Sequence, residues 1–278
     1  MTIDLHMHST ASDGTLSPTE LMRFAAECGC NTVALTDHDT AAGVSEARSE
    51  AHRLGIRFIA GIEVSSLWGG RSIHVVGLGI DDTNLVLTRK VREFEVSRTR
   101  RAAQIAEKLA ALGIPGMLEK ATAFAENKLN VSRVHFALAL LEAGAVKNQQ
   151  EAFDRYLGDG KPAYIMAPWP TVAEAVDLIH TAGGIAVMAH PGRYHFKNDW
   201  TVDELMKDFA AAGGEAVEVI SGSQQPDFTP RCLAWAREYK LLVSTGSDFH
   251  SKTGTRPMPG TQGQLPAGYT SVLSKLTN

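Results

Sequence analysis

The chain has 278 residues, 44% of them hydrophobic and 21% charged, and a formal net charge of −4 at pH 7. These values are typical of a globular protein with one barrel-sized domain, or one domain with an insertion, and they provide no overall field that would attract nucleic acid or a membrane surface. The sequence has no apolar run near the ~20 residues of a membrane span and no N-terminal signal pattern, and its three cysteines, an odd number, do not indicate a disulfide framework.

Strand and helix patterns alternate along the first 80 residues. Apolar and polar residues alternate from Ile3 to His6 with the period of two that is typical of a strand, so His6 and His8 face the same side at its carboxyl end. A capping box that begins at Ser17 predicts the first helix. The further elements predicted here are strands at 31–36, 57–62 and 72–80 and a helix at 43–54.

The middle of the chain has the pattern of helices alone. Helices are predicted over 83–112, 117–127, 132–143 and 148–157. The next strand signal is the run 162–165. We therefore predict a helical insertion domain over 95–165, which caps the substrate, within an α/β barrel domain made of 1–94 and 166–278.

The alternation resumes after the insertion. Helices are predicted at 171–179, 202–212 and 229–239, and strands at 185–189, 216–220 and 241–245. Strands that alternate with helices form a parallel sheet or barrel, and the carboxyl ends of barrel strands surround one crater. Polar residues cluster at these strand ends, so the sequence predicts a site there.

Nine side chains that can bind metal lie at or beside the strand ends. They are His6, His8, Asp13, His38, Glu63, His74, His190, Asp248 and His250. A barrel would bring them together in its crater. Six imidazoles and three carboxylates exceed the needs of one zinc ion and suit two or three metals with carboxylate bridging.

These residues lie in motifs that resemble those of the PHP (polymerase and histidinol phosphatase) superfamily. The motifs are His6-x-His8, Asp13, Thr36-Asp37-His38-Asp39, Gly61-Ile62-Glu63, His74, Ala189-His190-Pro191 and Ser247-Asp248-x-His250. Within the superfamily the chain resembles bacterial 3′,5′-nucleoside bisphosphate phosphatases, which carry a helical insertion here with an Arg-x-His segment, matched by Arg133-Val134-His135. The resemblance implies a distorted (β/α)7 barrel of the PHP type with a trinuclear metal site.

The resemblance also implies how the metals would be held. The implied ligand sets are His6, His8, Glu63 and Asp248 for the first metal, Glu63, His74 and His190 for the second, and Asp13, His38 and His250 for the third. The three carboxylates among them, Asp13, Glu63 and Asp248, are predicted to be catalytic as well. Asp13 stands where some relatives have a histidine, and the extra carboxylate favours Mn²⁺, with Zn²⁺ or Fe²⁺ as alternatives. We expect two to three divalent ions.

A second group of residues is predicted to bind the substrate. The candidates are Arg98, Arg101, Ser132, Arg133, His135, Lys161 and Arg193. The arginine fork fits phosphate, and a helix that starts near Ser132 would offer backbone N–H groups to an anion. Alternatively, Arg98, Arg100 and Arg101 form part of a solvated helix face. The aromatic candidates for base stacking, or alternatively for packing, are Trp68, Phe196, Trp200 and Phe249.

The resemblance implies a metal-dependent phosphoric monoester hydrolase. We expect it to remove the 3′-phosphate from nucleoside 3′,5′-bisphosphates such as adenosine 3′,5′-bisphosphate (pAp), through attack by a hydroxide shared between metals. The candidate general acids for the leaving oxygen are Asp13, Asp37, Asp39, His135 and His195. Asp37 and Asp39 have the alternative role of orienting neighbouring groups.

Other functions remain open on the sequence alone. They are a 5′-to-3′ exonuclease on short RNA or DNA oligonucleotides, a histidinol-phosphate phosphatase, a C–N hydrolase, and a metal-binding domain without catalysis. The acidic net charge disfavours long nucleic acid, and the arginines of the insertion disfavour a cationic substrate. We expect a nucleotide ligand, no membrane association, no stable protein partner and a cytoplasmic location.

Overall fold

In the computed structural model, which describes residues 2–196, 201–253 and 256–276, seven strands form one sheet. The strands are β1 (Ile3–Asp4), β2 (Thr32–Leu35), β3 (Arg57–Trp68), β4 (Arg71–Leu78), β5 (Ile185–Met188), β6 (Ala216–Ser221) and β7 (Leu242–Gly246). They pair in chain order, and all pairs are parallel except those of β4, which is antiparallel to β3 and β5.

The sheet nearly closes on itself between its first and last strands. The Leu5 N–H donates to the Thr245 carbonyl at 3.1 Å, and the Asp248 N–H donates to the His6 carbonyl at 2.8 Å. The α/β barrel predicted from the alternation of elements is therefore confirmed, and so is the distorted form that the resemblance implies, with the antiparallel β4 as its distortion.

The helices follow the predicted order. They are α1 (Pro18–Glu27), α2 (Val44–Leu54), α3 (Leu85–Ala111), α4 (Met117–Phe124), α5 (Arg133–Glu142), α6 (Gln149–Ala152), α7 (Val172–Thr181), α8 (Val202–Ala211) and α9 (Thr229–Glu238). Helix α1 begins at the predicted capping box, where Ser17 Oγ accepts from the Glu20 N–H and the Glu20 carboxylate accepts from the Ser17 N–H. Among the described residues, no helix combines the length and apolar character needed to cross a membrane.

The structure differs from the predicted elements in three places. The helix predicted over 148–157 is α-helical over Gln149–Ala152 and continues as a π-helix over Phe153–Leu157. The run 162–165 is not a strand, because Pro162 has no N–H to donate and the Ala163 N–H donates to the Tyr156 carbonyl instead of to a neighbouring strand. Strand β3 continues six residues past the predicted end, because it forms a long hairpin with β4. Gly69 and Gly70 close this hairpin with φ values of 55° and 73°, which glycine adopts without steric cost.

The helices of the middle segment bury a hydrophobic cluster of their own. Ile105, Leu109, Phe136 and Leu140 are at most 1% exposed and belong to a cluster that extends from Ala102 to Ala163. The start of α3 instead packs Leu87 and Phe94 into the cluster between the barrel and its helices. The change from one cluster to the other supports an insertion, whose boundaries at 95 and 165 stay a prediction.

Candidate metal centre

The nine predicted metal ligands converge at one end of the barrel. Among the described residues, their nitrogen and oxygen atoms form four overlapping groups in which all ligand atoms lie within 4.8 Å of one another. The groups are His8, Asp13, His38 and His250; His6, His8 and Asp248; His6, Glu63 and His190; and His38, Glu63 and His74. The barrel strands and the loops after them therefore bring together the residues predicted from the sequence, although Glu63 and His74 lie within β3 and β4 and not at strand ends. The assignment of these residues to individual metals stays a prediction.

Glu63, in β3, lies at the centre of this cluster and is fully buried. Its Oε2 lies 3.3 Å from His6 Nε2, 3.3 Å from His8 Nε2 and 2.9 Å from His38 Nδ1. Its Oε1 lies 2.9 Å from His74 Nδ1 and 3.0 Å from His190 Nε2. Burial by itself raises the pKa of Glu63, but the surrounding imidazoles outweigh it and hold that pKa well below its usual range.

The chemistry of these donors fits divalent metal ions. Several buried atoms of the cluster form no hydrogen bond, even though His38 Nδ1 and Glu63 Oε2 lie 2.9 Å apart. They are His8 Nδ1, Asp13 Oδ1, His38 Nδ1, Glu63 Oε2, His74 Nδ1 and His190 Nδ1. Buried polar atoms are costly unless a partner satisfies them. Imidazole and carboxylate donors that face one another at about 3 Å are suited to a shared divalent cation.

Glu218, in β6, orients two of these histidines and was missed from the sequence. Its Oε1 lies 2.7 Å from His6 Nδ1, and its Oε2 accepts from the His190 main-chain N–H at 2.7 Å. A proton on His6 Nδ1 leaves Nε2, the atom that faces Glu63, free to bind a metal. The available signal was a carboxylate within an otherwise buried apolar strand.

Asp37 holds the turn that carries Asp13. Its carboxylate accepts from the Ser9 N–H at 2.7 Å, from Ser9 Oγ at 2.6 Å and from Ser12 Oγ at 2.5 Å. Burial raises its pKa, which His8 and these hydrogen bonds oppose. The contacts support the orienting role predicted as the alternative to acid catalysis.

Three ligand loops contain residues with left-handed backbone. Asp39, His190 and Asp248 have φ values of 54°, 31° and 51°, although none of them is glycine. Each such residue costs of order 1–3 kcal/mol and persists only where its surroundings hold it in place. The His190 N–H is held by the Glu218 carboxylate, and the Asp248 N–H is held by the His6 carbonyl.

Arg98 links the insertion to the barrel. It is 4% exposed, and its Nη2 and Nε donate to Asp39 Oδ2 at 2.5 and 3.0 Å. Asp39 Oδ1 also accepts from the Ser65 N–H at 2.6 Å. This geometry assigns the Arg98 guanidinium first to Asp39, so its predicted contact with substrate is untested and its structural role is the better supported one.

The Arg98–Asp39 pair gives a prediction for stability. Arg98→Met should lower the free energy of unfolding by about 3 kcal/mol, because it leaves the buried Asp39 carboxylate without its counter-charge. Urea unfolding followed by circular dichroism measures this change. Arg89→Met, at an exposed position earlier on α3, is the control and should change stability by less than about 0.5 kcal/mol. Equal stability of the two variants would contradict a structural role for the pair.

Arg101 and Arg133, both partly buried, form a second cationic site. Arg101 Nε donates to the Ile165 carbonyl at 3.0 Å, and burial, together with Arg133 and Arg98, lowers its pKa to about 9. Burial also lowers the pKa of Arg133, whose Nη1 lies 3.7 Å from Asp159 Oδ1. That carboxylate is already held by Arg71 at 2.6 Å. Arg133 therefore shares Asp159 with Arg71, and the two partly buried guanidiniums of Arg101 and Arg133 make this site suited to an anion.

Ser132 and His135 form the cap of α5. The Ser132 N–H donates to His135 Nδ1 at 3.0 Å, and Ser132 Oγ accepts from the Val134 N–H at 3.0 Å. Burial lowers the pKa of His135, against the influence of Asp13. His135 is therefore a neutral imidazole with its proton on Nε2, which makes it a hydrogen-bond donor and a poor general acid.

The remaining candidates from the sequence are spread more widely. Arg193 places its Nη1 3.3 Å from Asp248 Oδ2, whereas Lys161 and His195 are exposed. Phe249 is fully buried in the core, which corrects its prediction as a base-stacking residue. Trp68 donates to Asp208 and packs edge-on against Phe196 at 5.0 Å. Trp200 lies outside the described residues.

Arg256 was missed because it lies in a Gly-, Pro- and Thr-rich segment that has the pattern of a loop. Its Nη1 donates to the Asp248 carbonyl at 2.7 Å and lies 2.9 Å from Asp248 Oδ1. It also contacts the His250 ring. The crater therefore contains an arginine whose position depends on how the C-terminal segment folds back.

The protonation of the cluster predicts that metal uptake displaces protons. Burial lowers the pKa of His8, but Asp248 and Glu63 outweigh it and raise that pKa to about 9. The carboxylates around His6 likewise raise its pKa well above the usual value. Both rings are therefore protonated at pH 7.5 after chelator treatment and must lose a proton to bind metal.

Calorimetric titration of chelator-treated protein with Mn²⁺ in buffers of different ionisation enthalpy should report at least one released proton. The release should decrease at pH 9.5, where the pKa of about 9 leaves most His8 already neutral. Identical heats in the different buffers at pH 7.5 would contradict the raised pKa values.

Comparison with known proteins gives matches that cover most of the chain. Residues 4–219 match the PHP domain. The chain is 45% identical over 251 residues, 90% of each chain, to a 5′-3′ exoribonuclease of Haemophilus influenzae. It is 43% identical to a 3′,5′-nucleoside bisphosphate phosphatase of Chromobacterium violaceum, over 98% of this chain and 92% of the relative. A solved structure described as a C. violaceum amidohydrolase with bound sulfate and no metal is similar, with a TM-score of 0.92, 40% identity and coverage of 99% and 96%.

Proposed function

The chain belongs to the PHP domain family and is a metal-dependent phosphoesterase, and we propose that it removes the 3′-phosphate from nucleoside 3′,5′-bisphosphates. The products would be a nucleoside 5′-monophosphate and phosphate. One observation carries this proposal: the crater combines a cluster of nine metal-binding side chains with a separate pair of partly buried guanidiniums, Arg101 and Arg133. A substrate with two phosphates would present one phosphate to the metal-binding cluster and the other to the arginine pair.

Arg193 interacts with both the metal-binding cluster and the pair formed by Arg101 and Arg133. Its guanidinium contacts Asp248 in the metal-binding cluster, and its charge acts on Arg133 in the insertion. The proposal assigns the 5′-phosphate to Arg101 and Arg133, where the neutral His135 offers a further N–H. The 3′-phosphate then lies at the cluster around Glu63.

The residues around Glu63 carry the chemical step. Divalent ions held there would neutralise the phosphoryl oxygens and supply the acidity that activates water. Glu218 fixes the ring of His6, and Asp37 fixes the turn of Asp13, so the donors are held in place before substrate arrives. Binding of the 5′-phosphate by the insertion orients the 3′-phosphorus for in-line attack.

A second candidate function is exonuclease action on short oligonucleotides that carry a 5′-phosphate. The relative from H. influenzae, which is named a 5′-3′ exoribonuclease, favours it. Attack on the first 3′-phosphodiester, instead of a 3′-monoester, releases the same 5′-mononucleotide. The net charge of −4 favours substrates of a few nucleotides over long chains.

The test is phosphate release in the presence of Mn²⁺ from pAp, 5′-AMP, 3′-AMP and histidinol phosphate, together with chromatography of products from a 5′-phosphorylated dinucleotide. The proposal expects strong turnover of pAp and weak turnover of both monophosphates. Release of 5′-mononucleotide from the dinucleotide would add the exonuclease activity. Turnover of histidinol phosphate alone would refute the proposal.

A further inference from the structure

The C-terminal segment after β7 returns an arginine to the metal-binding cluster. The Arg256 side chain is 24% exposed, and its Nη1 lies 2.9 Å from Asp248 Oδ1. Arg193 approaches the other oxygen of the same carboxylate, with Nη1 at 3.3 Å from Oδ2. Two guanidiniums from different loops therefore flank Asp248.

Arg256 is anchored by the main chain as well as by a carboxylate. Its Nη1 donates to the Asp248 carbonyl at 2.7 Å. Asp248 itself has a left-handed φ of 51°. A carbonyl oxygen accepts this bond whatever the carboxylate of the same residue binds. The anchor therefore keeps the guanidinium at the edge of the cluster when Asp248 holds a metal.

The Arg256 guanidinium has further N–H donors besides those of Nη1. Within the described residues, the hydrogen bonds and the ion pair of its side chain all involve Nη1, and neither Nε nor Nη2 has a hydrogen-bond acceptor. The charges that act on Arg256 after burial are those of Asp248, Arg193, Asp13 and Glu63, which places it among the predicted catalytic carboxylates. A planar fork with free N–H groups at this position is suited to a tetrahedral oxyanion.

We propose that Arg256, with Arg193 beside it, binds the oxygens of the phosphate that is cleaved. This inference rests on the proposed function and deepens it, because it assigns separate arginines to the two phosphates of the substrate. Arg101 and Arg133 recognise the phosphate that stays, and Arg256 contacts the phosphate that leaves. Charge on the transferred group is distributed over its oxygens in the transition state, where fixed guanidinium donors are most effective.

The kinetic test compares Arg256→Ala and Arg256→Lys with Arg155→Ala, a control at an exposed ion pair of the insertion. Arg256→Ala should lower kcat/KM about a hundredfold for pAp and by a similar factor for 3′-AMP, because both contain the cleaved phosphate. Arg256→Lys should recover part of the loss, since lysine keeps the charge without the fork. The Mn²⁺ content after dialysis should match that of the unmodified protein.

A binding test does not depend on turnover. The protein carries Arg133→Ala, which weakens the anion site of Arg101 and Arg133, and is treated with chelator. Inorganic phosphate is then titrated into it, and calorimetry measures the binding. Adding Arg256→Ala or Arg256→Lys should weaken this binding about tenfold, whereas adding Arg155→Ala should not change it.

Two results would overturn the proposal. One is unchanged phosphate affinity in both Arg256 variants. The other is loss of Mn²⁺ from Arg256→Lys with activity restored by excess Mn²⁺, which would mean that Arg256 only positions Asp248. If the unmodified protein hydrolyses no nucleotide, the proposed function fails, and the calorimetric comparison still decides whether Arg256 binds phosphate.

Discussion

Replacing Glu63 by glutamine should lower phosphate-ester turnover by at least about a thousandfold. Glu63 contacts five imidazoles within 3.3 Å and belongs to two of the four candidate metal groups. Glutamine keeps the shape but removes the charge that two cations would share, so both groups lose their common ligand. Turnover in Mn²⁺ and bound metal by elemental analysis measure the effect, and we expect the metal content to fall by at least one equivalent.

A matched control separates this effect from a general loss of carboxylate. Glu46→Gln removes a carboxylate that accepts from Thr19 on the outside of the barrel, and it should retain full turnover and metal content. Circular dichroism establishes that both variants are folded. Full activity in folded Glu63→Gln would show that the reaction does not depend on the Glu63 carboxylate.

Replacing Arg133 by alanine should lower kcat/KM for pAp about a hundredfold and leave that for 3′-AMP nearly unchanged. The partly buried Arg133 guanidinium is assigned to the 5′-phosphate, which 3′-AMP lacks, and a charge-assisted pair of hydrogen bonds contributes about 2–3 kcal/mol. The ratio of kcat/KM for the two substrates is the measurement. It isolates recognition of the second phosphate from the chemical step.

The control here is Lys120→Ala, at an exposed ion pair between α4 and α5. It should leave the ratio at the value of the unmodified protein. An equal loss for both substrates in Arg133→Ala would place Arg133 at the cleaved phosphate or in the packing of the insertion. No loss for either substrate would remove the insertion from substrate recognition.

The metal-binding cluster could be predicted because its members are tied to local pattern. Each follows or lies within a strand that the alternation of apolar and polar residues identifies, and barrel geometry then brings strand ends together. The His6-x-His8 pair needs only the period of two of β1, and Glu63 needs only its place in β3. Fold class and convergence of the ligands follow from these short-range signals.

Residues that act through tertiary contacts could not be found in this way. Glu218 reaches His6 across more than 200 positions, and Arg256 reaches Asp248 from a segment without periodicity. Arg98 has the pattern of a phosphate-binding arginine, but the fold pairs it with Asp39, which propensity cannot reveal. The run 162–165 has strand composition but no neighbouring strand edge to pair with. Local pattern therefore predicts which groups reach the crater, and tertiary packing decides what each one contacts.

The left-handed residues of the crater bear on how this protein can be improved in the laboratory. Asp39, His190 and Asp248 together hold several kcal/mol of backbone strain, comparable with a large part of the net stability of an ordinary domain. Glycine at these positions would relax the backbone, yet it would remove an anchoring carboxylate or a donor of the cluster. Selection for heat resistance alone would therefore drift toward inactive variants here, and a thermostable catalyst must gain its stability elsewhere in the chain.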